Sequence, residues 1–92
     1  MKEIPASATS YLKTREFTEE TVPAGLLKAH KTKEGTWAKI NVTEGLLHYR
    51  ILEPEYEEVL LSSEKYGVVE PTILHDVEPK GKVRFHLEFF RD

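Results

Sequence analysis

The sequence predicts an all-β chain, built as a sandwich or barrel of seven or eight short strands. Three observations carry this. Prolines and glycines recur throughout, from Pro5 and Pro23 to Pro79 and Gly81, and divide the chain into pieces none of which shows a good 12-residue helical period. Several pieces alternate apolar and polar residues with the period of two of a half-buried strand. The strand candidates follow one another at the close spacing of sandwiches and barrels.

Thr9–Phe17 is expected to add an edge strand. After the bend Pro23-Ala24-Gly25, Leu26–His30 reads as a strand. In Trp37–Glu44, Ala38, Ile40 and Val42 point one way while Trp37, Lys39 and Asn41 point the other. Leu46–Glu53 resumes with Leu47, Tyr49 and Ile51 on one face and His48 and Arg50 opposite. The Glu44-Gly45 step between them reads as a tight hairpin turn, because glycine reaches positive φ without steric penalty. Residues 54–58 read as a loop or one helical turn. Glu58–Leu61, Gly67–Glu70 and Leu74–Glu78 are short strands. Lys80-Gly81 reads as a turn before Val83–Phe90, in which Val83, Phe85, Leu87 and Phe89 face one way and Arg84, His86 and Glu88 the other.

The chain has 92 residues, enough for one domain spanning 1–92. Hydrophobic residues make up 39%, too many for a disordered chain. The net charge of −3 comes from lysines and arginines interspersed with carboxylates, so no basic stripe exists to bind nucleic acid. The chain has no cysteine, which removes disulfides, thiolate ligands and cysteine nucleophiles, and fits a reducing compartment. No signal-peptide core and no run of about 20 apolar residues is present, so no membrane partner is expected and a cytoplasmic location is.

Chemistry rests on four histidines. Neutral imidazole is a good donor to zinc, iron, nickel or manganese, and in a β fold such ligands come from different strands. His30 and His75 sit at strand ends, where pockets open. His86 lies mid-strand opposite the apolar face, and His48 shares a solvated face with Arg50. Glu34, four residues after His30, is a candidate carboxylate ligand or a solvated turn charge. Trp37 reads as a platform in a pocket or as core. Phe90 and Tyr11 are candidates for a homodimer interface. There is no Gly-rich phosphate loop and no serine in a nucleophile elbow.

The run PAGLLKAHKTKEGTWAKINVTEGLLHYRI, then GVVEPTILHDVEP, then KVRFHLEFF, resembles a family of small cupin-like domains. Members stand alone, in a YeaR-like branch, or form the N-terminal part of tellurite-resistance methyltransferases of the TehB type. The resemblance implies a compact cupin-like jelly-roll barrel, or double-stranded β-helix. The chain has no room for a methyltransferase domain, so methyl transfer is not carried over.

Metal-binding cupins place two histidines and a glutamate in a first motif. Here that motif retains only His30; Lys28 stands where the other histidine falls, and Trp37 or Ala38 where the glutamate falls. Gly45 matches its closing glycine, and Gly67, Pro71 and His75 follow the order of the second motif. Two readings stay open. One is a binding or sensing module for a small molecule or anion, linked to tellurite or oxyanion stress. Its pocket would be formed by His30, Trp37, His75 and His86, with or without a divalent metal held by His30, His75 and Glu34. The other is a metal-dependent cupin enzyme, dioxygenase- or isomerase-like, using His30, His75 and a third ligand.

Overall fold

A computed structural model of the chain describes residues 1–92. It contains β1 (Thr9–Lys13), β2 (Phe17–Thr18), α1 (Ala24–Leu27), β3 (Thr36–Glu53), β4 (Glu57–Leu61), β5 (Gly67–Val69) and β6 (Leu74–Arg91). All six strands join one sheet of order β1-β6-β3-β4, with β2 also paired to β6 and β5 to β3. Every pairing is antiparallel. The all-β expectation holds. The sheet is not closed: the path leaves β1 and β4 as edges and no ladder joins them.

The frame is the pair β3–β6, two 18-residue strands aligned from Thr36↔Arg91 to Glu53↔Leu74. Both turns expected inside this frame are absent. Gly45 and Gly81 lie within continuous strands, at one shared fold line where the register slips. Thr43 is the extra residue in β3, and Gly81 and Lys82 are the extra ones in β6. Bulges of this kind bend a strand and sharpen its twist. Gly45 has φ +80° and Gly81 φ +76°, which glycine adopts freely. A Cβ at Gly45 would lie 2.1 Å from the Lys82 carbonyl oxygen, so the two backbones close on each other there.

The extra residue also explains the pattern of burial. Ala38, Ile40 and Val42 are buried at even positions, and Leu47, Tyr49 and Ile51 at odd ones. An insertion of one residue switches the face that alternate side chains occupy. Both halves of bent β3 therefore face the same core, joined by Val77, Val83, Phe85 and Leu87 of β6 and by Phe17, Leu61 and Val69. The Tyr49 hydroxyl, deep in this core, donates to the Val68 carbonyl at 2.9 Å.

The other departure lies at residues 24–30. The expected strand Leu26–His30 is instead a single helical turn, Ala24–Leu27, led by Pro23 at φ −60°. Proline favours a helix start because its φ is already set and its missing N–H is not needed there. Of the two expected interface aromatics, Tyr11 is 43% exposed on edge strand β1, with the Arg91 guanidinium 4.2 Å above its ring. Phe90 is half-buried, opposite Trp37 on the outer face.

A candidate pocket at the His30–His75 pair

After α1 the chain runs across the end of the sheet, and His30 meets His75 at the start of β6. Each backbone N–H donates to the other residue's carbonyl, both at 3.0 Å, forming an isolated antiparallel bridge. Side chains of paired residues in such a bridge lie on the same side. The imidazoles accordingly stack with ring centroids 4.1 Å apart and a 54° tilt. A second tie holds the segment down. The Thr72 N–H donates to the carbonyl oxygen and to the hydroxyl oxygen of Thr32, each at 3.2 Å, and the Thr32 hydroxyl donates to the Glu70 carbonyl. Thr72 takes φ +66° to do this, a conformation costing about 1–2 kcal/mol for a residue with a Cβ.

The tautomers follow from backbone carbonyls, which only accept. His30 Nδ1 lies 3.0 Å from the Lys28 carbonyl and His75 Nδ1 lies 3.2 Å from the Ile73 carbonyl. Both Nδ1 atoms therefore carry hydrogen, which leaves the Nε2 atom of each ring turned away from these carbonyls. His75 is 3% exposed, yet its Nε2 has no protein partner and is not sealed from open space. Burial pushes its pKa down to about 4; the neighbouring His30 adds to the lowering, while the Ile73 carbonyl and Asp76 oppose it. His75 is thus neutral at physiological pH. Asp76, also buried, is held by a two-pronged bond from Arg50 at 2.8 and 2.7 Å.

His30 stands between two spaces, and His75 lines the inner one. Inward lies a small cavity of about 40 Å³, lined mostly by apolar side chains including Ala38, Ile40, Val69 and Phe85. Outward lies an open groove of about 410 Å³ that includes Tyr11, Lys31, Lys33 and Thr36. Leu26, His30, Thr32 and Phe89 border both.

Of the expected site residues, the structure brings together His30 and His75 alone. Trp37 and His86 are on the opposite face of the sheet, since their neighbours Ala38 and Phe85 point inward. Glu34 is exposed in the turn before β3 and lines neither space. His48 is partly covered rather than free, with Nε2 3.3 Å from Glu58. Leu26, Thr32 and Val69 had no signal marking them as pocket residues. Their role arises from α1 and the Thr32–Thr72 tie.

No group of three or more His, Asp or Glu side chains is placed to hold a metal ion. Catalytic sites ordinarily supply three protein ligands, and two imidazoles with apolar walls fall short of that set. The residues present do not fit the divalent metal expected of a cupin enzyme.

A TehB-like domain family model matches residues 12–87. The chain belongs to the TehB-like domain family. Among solved structures, TehB from Haemophilus influenzae superposes with a TM-score of 0.86 at 26% identity, over 95% of this chain. The match covers 32% of the TehB chain, so this TehB-like domain spans about a third of that relative. A protein from E. coli strain K12 has a TM-score of 0.86 at 23% identity, over 98% of this chain and 96% of its own, a likeness of fold. No curated protein matches. No helix is long and apolar enough to cross a membrane.

Proposed function

We propose that this TehB-like domain is a small-molecule binding module whose recognition element is the His30–His75 pair. One observation carries the reading: two stacked imidazoles, their Nδ1 atoms occupied by backbone carbonyls, line an apolar cavity, and one of them, His30, also borders the open groove. Ligand sites are typically concave and apolar with a few converging polar groups, and this arrangement supplies both. The resemblance to the N-terminal part of tellurite-resistance proteins supports a role as an accessory module in that response. Two bent sheet halves closing on one core support a reduced, cupin-like jelly roll. The enzyme reading lacks a third metal ligand and is not adopted.

The test is a fragment screen on ¹⁵N-labelled protein, read through the imidazole nitrogens. Binders are expected to shift Nε2 of His30 and His75 and to leave His48 and His86 unmoved. Equal shifts at all four histidines, or none for any fragment, would sink the pocket.

A further inference from the structure

We infer that the ligand is a short-chain carboxylate, bound with its hydrocarbon tail in the inner cavity and its carboxylate in the groove against Lys31 and Lys33. This rests on the pocket reading above and names its ligand class. The chain carries a net charge of −3, yet the only formally charged side chains lining the groove are those two lysines. Other concavities differ: one sets Glu55, Glu57 and Glu70 against Lys2 and the Met1 ammonium, another Glu19, Glu20 and Glu44 against Lys82 and Arg84, and a third Glu3 against Lys39. A third cation, Arg91, stacks on Tyr11 at the groove wall. The groove therefore favours anions, since its cations face no carboxylate while those of the other concavities do.

The cavity behind it selects the opposite chemistry. Eight of its eleven lining residues are hydrophobic; of its polar members, His30 and Thr32 also border the groove, and His75 stacks on His30. A bare oxyanion pushed inside would lose its hydration with no cation to replace it. A hydrocarbon chain loses nothing and gains burial. A volume of about 40 Å³ holds about three water-sized groups. Only a ligand with a charged head and a short apolar tail satisfies both spaces at once. A chain of about four to six carbons spans both spaces while leaving the head among the lysines.

The experiment is calorimetric titration of the whole chain with acetate, butyrate, hexanoate, 1-hexanol and selenite, in wild type and in the Lys31→Gln/Lys33→Gln variant. Both lysines are exposed, so the variant keeps the fold. Affinity should rise about fourfold per methylene from acetate to butyrate and level off once the cavity is full. The double variant should weaken hexanoate at least threefold and leave hexanol unchanged. Acetate or selenite binding as tightly as hexanoate would overturn the tail, and hexanol binding as tightly would overturn the charged head. Absence of carboxylate binding, with neutral fragments still shifting His30 and His75, would overturn the ligand class and leave the pocket standing.

Discussion

His30 and His75 exchange both of their backbone hydrogen bonds, each at 3.0 Å, so the pairing of their rings is fixed by main chain rather than by side-chain chemistry. It follows that the pair survives loss of either ring. His30→Ala, at a half-buried position, should cost less than about 1 kcal/mol in urea unfolding. Hydrogen exchange should still show the His75 amide protected. An unprotected amide would mean that the imidazole, not the bridge, holds the segment.

The buried ring gives a pH signature. His75 titrates near about 4 in the fold and near 6.5 when unfolded. Between those values the unfolded chain binds the proton and the folded one does not, so stability is intact above about 6.5 and falls as pH drops towards 4. The full loss is on the order of 3 kcal/mol. In His75→Leu the slope between about pH 6.5 and 4.5 should vanish, because no imidazole remains there to titrate. A slope unchanged in that variant assigns the effect to other groups.

The fold line separates two glycines that look alike in sequence. Gly45→Ala meets both an unfavourable φ and the Lys82 carbonyl at 2.1 Å, and should cost about 3 kcal/mol or more. Gly81→Ala has a similar φ but open space around it, and should cost about 1–2 kcal/mol. Equal costs in thermal unfolding would show that steric closure at Gly45 is not what bends the sheet.

Phe85 is fully buried, packed 5.7 Å from Phe17 between ring centroids. Phe85→Ala should cost about 3–5 kcal/mol in chemical denaturation. A near-neutral value would place the wrong face of β6 inside.

Alternation made the core legible. Ala38, Ile40 and Val42, then Leu47, Tyr49 and Ile51, then Val83, Phe85 and Leu87 face inward as their spacing indicates, because each strand segment buries one face only. The glycines were ambiguous. A glycine ending an alternating run marks a turn or a bulge equally well, and what decides here is the pairing of β3 with distant β6, which local pattern does not carry. The segment 24–30 failed for a different reason: four residues are too few to show a helical period.

The same rule of alternation bears on the site. Trp37 precedes inward Ala38, and His86 follows inward Phe85, so both were already assigned by parity to the outer face. Their ring chemistry suits a pocket, but their place on the strand keeps them out of this one. The meeting of His30 with His75 had no local signal beyond their positions at strand ends. It depends on a backbone bridge across 45 residues of sequence.

The β3–β6 ladder also sets the pace of assembly. Arg91 is paired with Thr9 on one side and Thr36 on the other, and β6 alone joins β1 and β2 to the rest of the sheet. Three of the five ladders must therefore wait for a strand late in the chain, and long loops must close before their contacts form. Topologies dominated by such distant pairings fold in milliseconds to seconds rather than microseconds. Until β6 docks, β3 presents one whole unpaired flank, so the nascent sheet is at its most vulnerable to pairing with another copy during that interval.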